Sequence, residues 1–413
     1  MLSLKKRSWL AVVACALAIF NSGALFFGYP GILTVYCQGT FKATSSQTGW
    51  IMTFACLGVG LLMFLSGSIH AKIGTRKCFL TGSLILLADM ILVNFAKDMT
   101  LIYLWAFLCG AGNGFIYGPG VTTVQNWMPR KRGLASGILN LAFGTAAAIM
   151  SPVYNALINS AGFKTMNYII MGMIVVLTGI ALTYAELPQF SRLSDELSFE
   201  LENEKQLASM GSAASAAASS SPKEALRTKG FWALWLCWAF MGAAGIAMVS
   251  LSGPFAISIG LSSAVVLTAF NLTNGIGRFF AGTLSDLIGR NRTCCIAFLI
   301  GGAGYFALPH LRNIILVCIA AAFVGFAFGT LFAATAPRIS DLFGLEHYSM
   351  LLSLVFSGYG LVGGLLGPAF SGWLLEASKS YLVVFCVLGA FCLLSAFFVT
   401  QANPPKNEKT DES

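Results

Sequence analysis

Two ionisable residues sit in long uncharged runs, where charge is expensive. Arg278 lies in Asn271-Leu-Thr-Asn274-Gly-Ile-Gly-Arg278, and Asp89 lies in Leu84-Ile-Leu-Leu-Ala-Asp89-Met-Ile-Leu-Val. An arginine at membrane depth costs at least ~2.5–3.5 kcal/mol on insertion scales, so it must face a bundle interior or a water-filled cavity. Its planar fork of donors fits a carboxylate in bidentate fashion. Asn274 is one helical turn before Arg278, on the same face. A carboxyl at the same depth is either protonated or partnered, so Asp89 could carry a proton in transport or hold a structural hydrogen bond. Two readings of Arg278 stay open: an anchor for an anionic ligand, or an internal ion pair, for which Asp89 is the other charge deep in an apolar run.

The elements that position these residues follow from composition. Of 413 residues, 57% are hydrophobic and 10% charged, with a mean hydropathy of +0.78. Soluble domains carry roughly 25% charged residues. The charges here cannot coat a soluble surface, which argues against a soluble enzyme, a nucleic-acid-binding protein or a disordered scaffold. The eleven cysteines are an odd number, mostly inside apolar runs and without a C-x-x-C pair, and His70, His310 and His347 are far apart. Free thiols in helices are expected, with no metal site and no cofactor.

A spanning helix needs about 20 apolar residues. Uncharged runs predict twelve spans: 8–29, 48–69, 78–96, 101–125, 133–158, 165–185, two within 230–284 divided around Ser252-Gly253-Pro254, then 293–311, 313–335, 350–375 and 380–400. The first is too long for a signal peptide and lacks its cleavage site, so it is read as a retained span followed by a loop before Phe41. The expected organisation is a six-helix half over 1–187, a linker loop over 188–229, a second six-helix half over 230–403 and a tail over 404–413. Inside the linker, Leu193 to Leu207 reads as a short surface helix with a solvated charged face, ahead of an Ala/Ser-rich flexible stretch.

With the N-terminus placed in the cytoplasm, inside segments hold 19 Lys/Arg and outside segments 5. That is the positive-inside bias. It predicts a multi-pass protein of the plasma (inner) membrane with both termini cytoplasmic, and it explains the net charge of +9 without nucleic acid.

The two halves echo each other. Gly67-Ser-Ile-His70-Ala71-Lys-Ile-Gly74-Thr-Arg76-Lys77 recurs 215 residues later as Gly282-Thr-Leu-Ser-Asp286-Leu-Ile-Gly289-Arg290-Asn-Arg292. A repeated six-span unit with matching loops is the mark of a duplicated transporter half. The loop resembles the major facilitator superfamily signature, as do the 6+6 layout and the central loop. The resemblance covers nearly the whole chain. It implies an all-α membrane fold of twelve helices in two pseudo-symmetric halves, with Gly67, Gly74, Arg76, Gly282, Asp286, Gly289 and Arg290 forming gating loops. Ala71 stands where the first loop should have its acid, which weakens the latch expected there; His70 beside it could substitute, but a loop histidine reads first as solvated.

Two stretches are similar to the oxalate/formate antiporter family and the related monocarboxylate transporters. They are Gly110-Ala-Gly-Asn113-Gly-Phe-Ile-Tyr117-Gly-Pro-Gly120, and Asn271 to Gly282. The resemblance implies that Tyr117 and Arg278 face a central cavity and that Arg278 holds the substrate carboxylate. It also places Phe26, Phe328 and Phe332 on the cavity wall, where Asn274, Asn113 and Tyr359 are polar candidates. The second cation of the oxalate pattern is missing, because that segment reads Val355-Phe356. One cation against an apolar wall favours a monocarboxylate, since a second carboxylate would be buried unpaired. The expected function is secondary transport of lactate- or pyruvate-like anions by alternating access, by proton symport, with anion exchange as the alternative. The partners implied are a small organic anion, a proton and the lipid bilayer, and a monomer is expected. Glycines crowd Gly110–Gly120 and Gly358–Gly367; no strand precedes them, so they are packing positions rather than nucleotide loops.

Overall fold

The computed structural model describes residues 3–191, 195–210, 221–344 and 346–403. The tail, residues 192–194 and 211–220 of the linker, and the side chain of Asp286 lie outside the described residues. The described chain is all helical: α1 (Leu4–Thr40), α2 (Ser45–Ile73), α3 (Thr75–Asn94), α4 (Met99–Trp127), α5 (Arg132–Ala161) and α6 (Phe163–Tyr184), then α7 (Lys229–Ser258), α8 (Ser263–Ile288), α9 (Arg290–Ala307), α10 (Ile314–Phe343), α11 (Tyr348–Ser378) and α12 (Tyr381–Gln401). Eleven are long and apolar enough to cross a membrane. The twelfth, α8, has a comparable length of 26 residues but carries Asn271, Asn274 and Arg278, which lower its apolarity.

Two expected boundaries move. α1 runs unbroken to Thr40, so no loop precedes Phe41; the chain passes through a π turn at Ala24–Gly28 instead. α7 continues through Ser252-Gly253-Pro254 and ends at Ser258, with Gly260 at φ 78° in the turn. Proline removes one ladder bond and bends a helix, yet in a packed bundle it need not end it.

The repeat is legible in the coordinates. Helices α3 and α9 begin at 75 and 290, and α4 and α10 at 99 and 314, each 215 apart. Asp98 and Asn313, the same distance apart, cap α4 and α10 by accepting two backbone N–H bonds each. Gly74 (φ 81°) and Gly289 (φ 93°) close α2 and α8 in the left-handed region, where a side chain would be strained. Within each half, α2 packs on α4 and α8 on α10.

Two seams join the halves, α2 against α11 and α5 against α8. Both rest on glycine. A Cβ on Gly60 would come 2.9 Å from Gly360 Cα, and one on Gly144 would come 2.9 Å from Gly275 Cα. The motif glycines extend the same seams: Gly67 lies inside α2 against Ser349 and Ser353 of α11, and Gly282 inside α8 near Gly133 of α5. The linker helix, Asp195–Met210, buries Leu197 and Leu201 with Leu4, Ala11 and Trp127, so its apolar face docks on the bundle while Glu196, Glu200 and Glu202 stay in solvent. This helix marks one end of the bundle, the linker face.

Candidate functional site

Arg278 is fully buried, with no solvent exposure. Asn274, one turn earlier on α8, accepts a hydrogen bond from its Nε at 3.1 Å. Across the α5–α8 seam, Asn140 Oδ1 accepts a long bond from Nη1 at 3.5 Å. The same oxygen accepts from the Tyr117 hydroxyl of α4 at 2.7 Å, and Asn140 Nδ2 donates to Ser136 O at 2.9 Å, which fixes the amide's orientation. Nη2 has no hydrogen-bond partner. The guanidinium carbon stands 4.0 Å from the centroid of Phe332 and 5.3 Å from that of Phe143, close enough for cation–π attraction. No described carboxylate pairs with Arg278, and Asp89 belongs to a different part of the molecule. The internal ion-pair reading is therefore not what the structure holds.

Aromatic rings from both halves enclose this centre. Phe27 of α1 meets Phe328 of α10 at 6.3 Å, Tyr117 meets Phe332 at 6.3 Å and Phe356 at 5.7 Å, and Trp238 of α7 meets Phe356 at 4.8 Å. Tyr359 sits 5.5 Å from Phe332, and Phe26 reaches Phe143 at 6.5 Å. Tyr117, Phe328, Phe332 and Tyr359 are buried, so the centre is sealed from both faces. Toward the linker face, Gln125 Nε2 of α4 donates to the Tyr348 hydroxyl of α11 at 3.0 Å, a bond between halves.

Of the sequence candidates, the structure gathers Arg278, Asn274, Tyr117, Phe26, Phe328, Phe332 and Tyr359 in one cluster. Asn113 instead accepts a bond from Ser22 of α1 inside the first half. Asn140, Phe143, Phe27 and Trp238 were not anticipated as site residues. Asn140 had a signal, since it lies 215 before Val355, the mate of the position where the oxalate pattern has its second cation. Among the described residues no group of His, Cys, Asp and Glu could hold a metal ion.

The loop residues divide by half. Arg290 pairs with Asp341, at the end of α10, at 2.5 Å. Arg76 pairs with Glu186, beyond the end of α6, at 2.6 Å and donates to Thr183 O. His70 is not solvated. It is buried, with Nε2 3.0 Å from Thr75 Oγ1, which in turn lies 2.6 Å from Thr123 Oγ1, so it ties together the linker ends of α2, α3 and α4.

The Major Facilitator Superfamily model matches residues 15–270 and 255–413, which together take in nearly all of the chain. The chain belongs to the major facilitator superfamily. It is therefore a multi-pass membrane transporter rather than an enzyme. This transporter is similar to the oxalate:formate antiporter of Oxalobacter formigenes, at 26% identity over 73% of the chain and 71% of that protein. It is similar to monocarboxylate transporter 12 of Xenopus laevis at 23% identity, covering 92% of the chain and 83% of the relative. Human monocarboxylate transporter 2 is 22% identical, with 96% and 85% covered.

Proposed function

We propose that this transporter moves small monocarboxylate anions by alternating access, one carboxylate binding Arg278, in symport with a proton. The observation that carries the reading is a fully buried guanidinium that no described carboxylate of the chain neutralises. Removing an ion from water costs several kcal/mol unless an opposite charge compensates it, so a bound carboxylate would relieve that cost. Nη2 keeps its donors for it, while Asn274 and Asn140 hold the other nitrogens. Val355 and Phe356 put apolar groups where a second cation would be needed. A dicarboxylate would then leave one charge among aromatic rings. Lactate- and pyruvate-like anions, with one charge and a small apolar tail, fit this centre.

Carrying an anion inward against a negative interior costs about 2.3 kcal/mol per charge per 100 mV. A co-transported proton makes the cycle electroneutral, and its carrier is a protein acid or the substrate carboxylate itself. Anion exchange solves the same problem, and the similarity to an oxalate:formate antiporter favours it as the second reading. The charge bias favours a cytoplasmic linker face and cytoplasmic termini, in the plasma membrane as the site of transport. The test is purified transporter in vesicles that contain no anion, given labelled lactate, pyruvate, formate or oxalate under an inward proton gradient. Concentrative uptake, inhibited better by monocarboxylates than by oxalate, is the expected result. Uptake only with a preloaded counter-anion would establish exchange, and best competition by oxalate would overturn the one-cation argument.

A further inference from the structure

A second polar region lies inside the first half, away from Arg278. Asp89 on α3 has no solvent exposure, and neither carboxyl oxygen has a side-chain hydrogen-bond partner. In the same half, around Tyr29 and Asn167, several more buried polar atoms are unpaired: Asn94 Nδ2, Trp105 Nε1 and the Tyr154 hydroxyl. Buried polar groups are nearly always satisfied, and a cluster of exceptions asks for an explanation. Tyr29 organises the cluster. Its hydroxyl donates to Asn167 Oδ1 at 2.7 Å, and Asn167 Nδ2 donates to Asn94 Oδ1 at 2.7 Å. Its ring lies 5.1 Å from Trp105 and 5.9 Å from Tyr154, and it is in electrostatic reach of Asp89. Asn94 ends α3, Asn167 is in the first turns of α6 and Trp105 in the second turn of α4. The cluster therefore lies toward the face opposite the linker.

The region continues inward. On α4, Trp105, Cys109 and Asn113 follow at four-residue intervals and share one helical face. Cys109 is in electrostatic reach of Asp89, and Asn113 bonds Ser22 of α1. Asn21, next to Ser22, is fully buried with both amide atoms unpaired. Polar groups thus run from Asn94 at the far face to Asn21, half-way along the bundle, entirely within one half. The equivalents 215 residues on are Gly304 for Asp89, Val324 for Cys109 and Phe328 for Asn113, so the second half has no such line.

The ionisable groups that face Asp89 are Tyr29 on α1, Cys109 on α4 and, through these, Cys37 and Tyr154. All are uncharged in their ordinary state near neutral pH. α6 presents Asn167 and Thr178, and the ionisable residues of α2 that lie nearest α3, His70 and Lys72, are at the linker end. Lys97 and Asp98 lie in the loop beyond α3, where Asp98 caps α4.

We propose that Asp89, served by Tyr29, Asn167 and Asn94 from the face opposite the linker and by Asn113 and Ser22 on the inner side, is the proton-binding site of this transporter. The inference rests on the proton-linked reading above. The Asp89 carboxylate takes one proton from a hydronium ion at the far face, leaving water, becomes a carboxylic acid, and gives that proton back to water on the linker side; only these O–H bonds form and break. The π turn of α1 joins this site to the anion centre. Phe26 and Phe27 lie in the turn and touch Phe143 and Phe328, and Tyr29 follows it directly. A change at Asp89 that moves Tyr29 is thereby passed to the wall of the Arg278 centre.

The experiment compares Asp89→Asn with the wild type in vesicles, using labelled lactate. One-to-one coupling accumulates substrate about tenfold per pH unit. The variant is expected to show an accumulation ratio near one while exchange of labelled for unlabelled lactate at equal pH persists. Accumulation equal to wild type in Asp89→Asn overturns the proposal. If the wild type accumulates nothing under the gradient, the proton-linked reading itself fails, and this site with it. Tyr29→Phe keeps the ring packing and should shift the pH profile of uptake at unchanged KM; an unmoved profile also counts against the site. Should Asp89→Asn fail to fold, infrared difference spectra of the wild type decide. A protonated-carboxyl band that responds to lactate supports the proposal, and its absence refutes it.

Discussion

The α5–α8 and α2–α11 seams are the same structure built twice, and they carry different chemistry. Each brings two helices to glycine contact, Gly144 on Gly275 and Gly60 on Gly360. The pseudo-symmetric mates of Asn274 and Arg278, 215 residues earlier, are Val59 and Met63. One seam holds a buried guanidinium and its two asparagines; the other, at the equivalent positions, is apolar packing. The reverse holds for the α3 and α9 pair, where Asp89 faces the interior of the first half and its mate is Gly304. The comparison teaches that the shared positions, the glycines and caps, build the scaffold and its closely packed seams. The positions that depart from symmetry hold the buried ionisable groups, and an ionisable group at membrane depth is retained only where something compensates it.

The largest effect should come from removing the asymmetric cation. Arg278→Ala should abolish uptake while the protein still inserts, and Arg278→Lys should lose most of it, because the ammonium keeps charge but not the fork. Asn140→Leu should weaken substrate binding roughly tenfold, since an Arg donor left without its acceptor costs ~1–3 kcal/mol. Met63, the mate of Arg278, should tolerate substitution by Leu with uptake near wild type. Lactate uptake and insertion assays on this set check the contrast; a sensitive Met63 and a dispensable Arg278 would reverse it.

The glycine contacts should behave alike on both seams. Overpacking costs typically ~1–3 kcal/mol, so Gly60→Val and Gly275→Val are each expected to slow transport by about five- to a hundredfold by disfavouring one packed state. A Cβ on Gly144 would also stand 3.2 Å from Arg278 Nε, so Gly144→Ala should raise KM as well. Uptake kinetics of the three variants test this, and a loss confined to one seam would show that the halves do not move as equals.

The smallest effect is expected at the loops. Arg290 and Asp341 are 19% and 25% exposed, whereas Arg76 is 50% exposed against Glu186 at 15%. Exposed pairs contribute roughly 0–1 kcal/mol. Asp341→Asn should therefore lower the melting temperature more than Glu186→Gln, each by a few degrees at most. Equal shifts would mean that the two latches are equivalent despite Ala71 and their different partners.

Much of this protein could be read from its residues. Runs of about twenty apolar residues determined the number of helices, because lipid leaves the backbone few other ways to satisfy its polar groups. The 215-residue echo set the halves, and Arg278 and Asp89 stood out because charge inside an apolar run is costly whatever surrounds it. Tertiary structure alone decided what each charge faces. Arg278 meets Asn140 and Phe143 from another helix of the other half, 138 residues away for the amide, and no periodicity encodes that meeting. Asn113 and His70 looked like a cavity residue and a solvated loop residue, yet helix rotation turned one toward Ser22 and buried the other against Thr75. The π turn of α1 was hidden for the same reason: an added residue in a helical turn leaves no trace in hydropathy, and it is visible only as the rotation that sends Phe27 to one site and Tyr29 to the other.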